Sequence, residues 1–136
     1  MAESSPNDQF LGTRRFDGVD EKGHKKFGPY EWKTYAETRT IAENLARGLQ
    51  VTDHLCTTEG EGKHWRFLGI WAKNRWEWTV TLLGSMYVKG TVVGFYDAMS
   101  AEAVDFILNQ TQMETLLVAG EYVAKIMKMR KDGLAK

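Results

Sequence analysis

Three apolar runs punctuate the second half of the chain: Phe67-Leu68-Gly69-Ile70-Trp71, Thr91-Val92-Val93-Gly94-Phe95-Tyr96 and Thr115-Leu116-Leu117-Val118. They start at residues 67, 91 and 115, and a helix-length segment separates each from the next. Parallel strands cannot be joined by a tight turn, so even spacing of this kind predicts β-α-β crossovers. The fold class that follows is α/β, a partial parallel sheet with β-α crossovers. Open sheets of this kind carry ligands on the loops that follow the strands.

The intervening segments read as helices. Asn74 and Glu77 have the spacing of an N-cap and N3 pair, and Trp76, Trp78, Val80, Leu82, Leu83, Met86, Tyr87 and Val88 then place apolar groups on nearly every face. Such a helix is expected to be buried on more than one side, with Gly90 as its C′ stop. Ser100 can cap a helix whose stripe is Ala103, Val104, Ile107 and Leu108. A last helix is expected over 121–131, with Tyr122, Val123, Ile126 and Met127 inward and a basic end that suits the helix dipole.

Upstream, Thr34 and Glu37 have capping-box spacing. The helix they open shows Thr38, Ile41, Ala42, Leu45, Ala46 and Leu49 at steps of three and four, with Glu37, Arg39, Glu43, Asn44 and Arg47 on the wet side, and it should end around 48–50. Tyr30–Tyr35 alternates like a half-buried edge strand, and Phe27-Gly28-Pro29-Tyr30 reads as a turn. Gly12, Gly18, Gly23 and mixed charges leave residues 1–26 as an extended N-terminal arm. Residues 27–136 then form an incomplete α/β domain, in which 52–64 is a polar loop.

Composition excludes several partner classes. Eighteen basic and eighteen acidic residues cancel, so no strong field argues for nucleic acid. No stretch approaches the ~20 apolar residues of a membrane span; peripheral association with a membrane stays open. The start, Met-Ala-Glu-Ser-Ser-Pro-Asn-Asp, is neither a secretory signal nor a transit peptide in character. One cysteine, Cys56, cannot form an internal disulfide, which fits a reducing compartment. The localisation expected is intracellular, cytoplasmic or peripheral to a membrane.

The residues offer no catalytic set, and no residue is assigned a catalytic, cofactor-binding or metal role. His24, His54 and His64 lack metal-ligand spacing, and Cys56 has no obvious base beside it. Gly60-Glu61-Gly62-Lys63 has the glycine and lysine of a phosphate loop without its spacer, and His64 stands where Ser or Thr would bind magnesium. The triplet His24-Lys25-Lys26 reads as a solvated turn ahead of a phosphate contact. Asp97 is the best-placed polar residue, directly after the second run. It or Ser100 is expected to organise the turn into the next helix, while Asn74, Arg75 and Glu77 cap and pair locally.

Four pieces, in order, resemble the long-chain acyl-CoA synthetases of the adenylate-forming superfamily. They are Phe10–Arg14 (FLGTR), Gly28–Tyr35 (GPYEWKTY), Leu68–Trp78 (LGIWAKNRWEW) and Gly94–Asn109 (GFYDAMSAEAVDFILN). The resemblance covers about residues 10–120. Trp76 stands where the family commonly has proline, and Gly94 where it tends to have another. The resemblance implies the N-terminal part of the large domain of the adenylate-forming fold. For a full-length enzyme it implies ATP, magnesium and CoA, and ATP-dependent formation of acyl-AMP and then acyl-CoA from a fatty acid. The family's Ser/Thr/Gly-rich loop ending in lysine, its acid-containing adenylate segment and its C-terminal lysine have no counterpart here. The chain alone is therefore expected to be inactive and structural, with no cofactor of its own. Its partner would be the rest of the enzyme or other chains that cover its apolar surface. The alternative is a truncated, non-catalytic paralogue serving as a subunit of a larger assembly.

Overall fold

The computed structural model describes residues 3–134. Its elements run β1 (Gln9–Val19), β2 (Lys25–Thr34), α1 (Tyr35–Val51), β3 (Thr58–Gly60), β4 (Lys63–Trp65), β5 (Phe67–Trp71), α2 (Trp76–Tyr87), β6 (Thr91–Phe95), α3 (Ala101–Thr111), β7 (Leu116–Val118) and α4 (Gly120–Lys131). The three apolar runs form one parallel sheet in the order β6-β5-β7. Phe67 pairs with Thr91 and Trp71 with Phe95, so the spacing in sequence becomes the register in space. On the other side Gly69 pairs with Leu116 and Trp71 with Val118.

Because β5 lies between the other two strands, the chain crosses over it on the way from β6 to β7. The helices accordingly divide between the two faces of the sheet. Leu68 packs with Ala46 and Leu49 of α1, with Leu55 and with Val88 just past α2. Trp71 and Phe95 pack with Val104 of α3 and with Tyr122 and Met129 of α4. Successive strand residues point to opposite faces, and this is what lets one strand serve both clusters. Gly69 is where the packing is tightest. A Cβ there would come within 2.5 Å of Leu116 Cδ1 and 2.8 Å of Met113 Sδ.

The capping box of α1 forms: Glu37 N–H donates to Thr34 Oγ1 at 3.2 Å, and Thr34 N–H to Glu37 Oε2 at 2.8 Å. These bonds hold the Glu37 carboxyl below its usual range. The helix buries Thr38, Ala42, Ala46 and Leu49 and runs to Val51. It packs on α2 at Gly84, where a Cβ would sit 3.0 Å from the Ala42 carbonyl oxygen. Thus α2 is covered on two sides, by α1 and by the sheet, while Met86 and Tyr87 at its end stay exposed.

Several elements differ from the sequence expectations. The turn placed at Phe27–Tyr30 lies within β2, and residue 26, the expected end of the arm, also lies inside that strand. β1 and β2 pair antiparallel as one long hairpin. Its turn is at Asp20–His24, where the Asp20 carboxylate accepts from Lys22 N–H and His24 N–H. Register shifts along β1, between Gln9 and Leu11, Arg14 and Phe16, and Phe16 and Gly18, hid the alternation that would have marked that strand. The polar loop at 52–64 contains the small hairpin β3–β4.

The helix ends also shift. Arg75, not Asn74, is the N-cap of α2. At its other end Lys89 takes the left-handed C′ position (φ 55°), and Gly90 is the next residue. Gly90 N–H donates to Ser85 O at 2.7 Å and Lys89 N–H to Met86 O at 3.2 Å, the paired bonds of a Schellman end. In α4 the inward residues are Tyr122, Ile126 and Met129, whereas Val123 and Met127 are exposed. A three-four step from Tyr122 selects that set.

Two stability outcomes follow from these close approaches. Gly69→Ala overpacks the sheet face and should lower the denaturant-unfolding free energy by about 1–3 kcal/mol. Lys89→Gly removes the left-handed penalty on a side-chain-bearing residue and should raise it by about 0.5–1 kcal/mol, net of the glycine's greater freedom when unfolded.

Candidate functional site

The carboxyl ends of the three strands bring the loops Ala72–Arg75, Tyr96–Ser100 and Ala119–Gly120 to one edge. In a sheet wound to both sides this edge is the usual ligand position. An open cleft of about 700 Å3 lies there, lined by Ala72, Lys73, Asn74, Trp78, Gly94, Phe95, Tyr96 and Asp97. A smaller hollow of about 330 Å3, between the ends of β5 and β7, adds Arg75, Glu77, Ala119 and Gly120.

Beneath the cleft sits Trp71, fully buried at the end of β5. Its ring stacks on Tyr122 with centroids 5.2 Å apart and an interplanar angle of 9°. The ammonium of Lys125 lies 5.0 Å from the same ring and donates to Met99 O at 2.6 Å. This ties α4 to the loop after β6. Burial pushes the Tyr122 phenol up, with Glu121 adding to the effect. The Ala119 N–H reaches the Trp71 carbonyl at 2.9 Å and closes the β5–β7 edge.

Two ion pairs border the cleft. Lys73 Nζ is 3.3 Å from Glu121 Oε1, and that contact raises the lysine's pKa. Arg75 grips Glu77 with both arms, at 2.8 and 2.6 Å. That fork holds the Glu77 carboxyl below its usual range. Glu77 and Glu121 sit in the first turns of α2 and α4, where a carboxylate complements the helix dipole. Asp97 is exposed and lines the cleft, near enough to Lys73 and Tyr122 to raise both of their pKa values. Ser100 caps α3 by accepting from Ala103 N–H at 3.2 Å. The turn itself is closed by Met99 N–H on Tyr96 O. Trp76 occupies the first position of α2, and its ring receives the Lys33 ammonium at 4.4 Å. That contact, a tie between hairpin and helix, takes the place of a preorganising proline.

The other candidates disperse. Cys56 Sγ–H donates to Glu114 Oε2 at 2.9 Å, and that carboxylate, with burial, raises the thiol's pKa. A thiol kept protonated is a poor nucleophile. Gly60–Lys63 turns β3 into β4 with Glu61 and Gly62 both at positive φ, a two-residue hairpin turn in place of a phosphate loop. His64 contacts Glu59 and His24 contacts Asp20. Among the described residues no group of three or more His, Cys, Asp or Glu is placed to hold a metal. The cleft therefore offers shape, polar edges and one exposed carboxylate, that of Asp97.

The chain matches the family described as AMP-binding enzyme over residues 15–135. It is 25% identical over 125 residues to "Acyl-CoA ligase 891, peroxisomal" of Penicillium roqueforti, an alignment covering 92% of this chain and 17% of that protein. Against "Long chain acyl-CoA synthetase 2" of Arabidopsis thaliana the identity is 28% over 130 residues, covering 93% and 17%. The fold is similar to the adenylation domain of a carboxylate reductase from Mycobacterium chelonae. The TM-score there is 0.74 at 17% identity, with 93% of this chain and 19% of that one covered. The chain thus spans less than a fifth of the length of these proteins. It belongs to the AMP-binding enzyme family, and its sheet is part of the adenylate-forming fold.

The Arg75–Glu77 fork gives the site a pH signature. A carboxyl held low when folded stabilises at pH above its unfolded value, about 4.3, and loses that contribution as pH falls through the folded value. Arg75→Met should move the Glu77 pKa back up in a carboxyl NMR titration. Solvent screens the pair, so the stability loss near neutral pH should be only about 0.5 kcal/mol, vanishing in acid.

Proposed function

We propose that this chain is the N-terminal segment of the large domain of a long-chain fatty-acid–CoA ligase, structural in itself and without the catalytic motifs. The observation that carries the proposal is the family match over 15–135 in a chain that covers only 17% of its acyl-CoA ligase relatives. The whole enzyme would form acyl-AMP from a fatty acid and ATP, then transfer the acyl group to the thiol of CoA. Phosphoryl and adenylyl transfer need cations and N–H groups aimed at the phosphates. Here Lys73 and Arg75 are committed to Glu121 and Glu77, and Lys125 to a carbonyl. On this reading ATP, magnesium and CoA are held by the rest of the enzyme.

The role of the segment is then to present one edge of the sheet. The exposed Tyr96, just after β6, and Phe106, on α3, are surfaces for the rest of the enzyme to cover. The alternative, a non-catalytic paralogue acting as a subunit, differs in what lies beyond Lys136 in the transcript. A reading frame that runs on into a Ser/Thr/Gly loop ending in lysine sinks the alternative.

The purified 136-residue chain, given ATP, magnesium, CoA and a long-chain fatty acid, should yield no acyl-CoA above the protein-free control. It should also show no exchange of pyrophosphate into ATP. Measurable turnover in either assay overturns the structural role.

A further inference from the structure

The β1–β2 hairpin and α2 enclose an open hollow of about 570 Å3, separate from the cleft at the sheet edge although Asn74 borders both. The hairpin wall carries Arg14, Phe27 and Tyr30, and the helix wall carries Trp76 and Thr79. Aromatic rings thus stand on two elements with space between them. The Lys33 ammonium, 4.4 Å from the Trp76 ring, ties the two walls together.

Arg14 is held in place without being neutralised. Its Nε–H donates to Gly28 O at 2.8 Å and its Nη2 to Phe27 O at 2.7 Å. The guanidinium lies 5.6 Å from the Phe27 ring and 5.9 Å from that of Tyr30. Carbonyls and ring faces fix its direction but carry no net charge. Its neighbour Arg15 takes Asp17, and Arg14 makes no ion pair among the described residues. Arg75, the other cation on the walls, is forked onto Glu77. The hollow therefore holds one cation whose charge is uncompensated.

These features select a ligand. The guanidinium fork matches the two oxygens of a carboxylate, and a donor already fixed in direction loses little freedom on binding. One uncompensated charge suits a monoanion; a phosphate monoester, at about −1.5 to −2, brings an excess. Rings on the walls favour a flat, aromatic partner. The volume lies within the range, about 300–1,000 Å3, of small-molecule sites.

We propose that the hollow between the hairpin and α2 binds a flat aromatic monocarboxylate, its carboxylate on the Arg14 fork and its ring among the aromatic side chains of the two walls. The inference is independent of the ligase reading.

The test is an NMR titration of the 136-residue chain with naphthoate, following the Trp76 indole N–H and the Arg14 Nε–H. Both signals should move and saturate. Naphthalene carboxamide keeps the ring and loses the charge, whereas cyclohexane carboxylate keeps the charge and loses the flat ring. Each should bind about tenfold more weakly, the scale of one charge-assisted hydrogen bond or one aromatic pair. Arg14→Lys keeps the charge without the fork and should weaken naphthoate by a similar factor. Tyr30→Leu, at a ring that is 59% exposed, should weaken it as well, and it decides with the two comparison ligands if the Arg14 variant unfolds the hairpin. Absence of saturation, equal binding of the carboxamide, equal or tighter binding of naphthyl phosphate, or undiminished binding by a folded Arg14→Lys chain would each overturn the proposal.

Discussion

Burial of β5 on both faces is the constraint from which the rest of the parallel sheet follows. Leu68, Gly69, Ile70 and Trp71 are all buried, although alternate residues point to opposite sides. A strand of that kind needs a helical layer above it and another below. The chain supplies them by sending α2 to one side of the sheet and α3 to the other, which forces β6 and β7 to flank β5. The strand order β6-β5-β7 is the topological expression of a strand with no polar face.

Gly69 and Trp71 show how finely one of those faces is filled. Glycine at 69 leaves room for Leu116, Met113 and Phe95 to close over the strand. Two residues later tryptophan spends that room on contacts with Phe95 and Tyr122. The small residue and the large one are complementary, and α3 and α4 take their positions from the pair. Lys125 then joins the aromatic stack to the loop after β6, so the core of one face extends directly into the wall of the cleft.

Much of this was legible in the sequence because it is written in local chemistry. The even spacing of Phe67 and Thr91 reappears as a strand register, and Thr34 with Glu37 reappears as two hydrogen bonds. Of the hairpin at 9–34 only the alternation at Tyr30–Tyr35 was legible, because register shifts break the pattern elsewhere and the Asp20 side chain, with Gly23 at φ 81°, shapes its turn. Arg75 was expected only to pair locally and does so, yet it also displaces Asn74 as the N-cap. The Lys89 C′ position misled for another reason: Gly90 is the residue that backbone freedom would choose, and its role here is to avoid Ser85 and Leu55, which a Cβ would meet at 3.2–3.3 Å. At the cleft, Asp97 could be placed from the sequence, but the Lys73–Glu121 pairing across two loops could not, because it depends on which strand neighbours β5.

That pairing decides how the edge of the sheet is to be understood. An open parallel sheet concentrates helix N-termini and loop side chains at its carboxyl edge, and in many proteins this field is left for a ligand. Here the first turns of α2 and α4 already hold Glu77 and Glu121, and these carboxylates in turn occupy Arg75 and Lys73. The positive ends of the helices and the nearby cations are satisfied within the chain itself. The Lys73–Glu121 pair joins the loop after β5 to the first turn of α4. The chain belongs to a family in which it corresponds to under a fifth of the length of the relatives it matches, so this edge is one part of a larger fold.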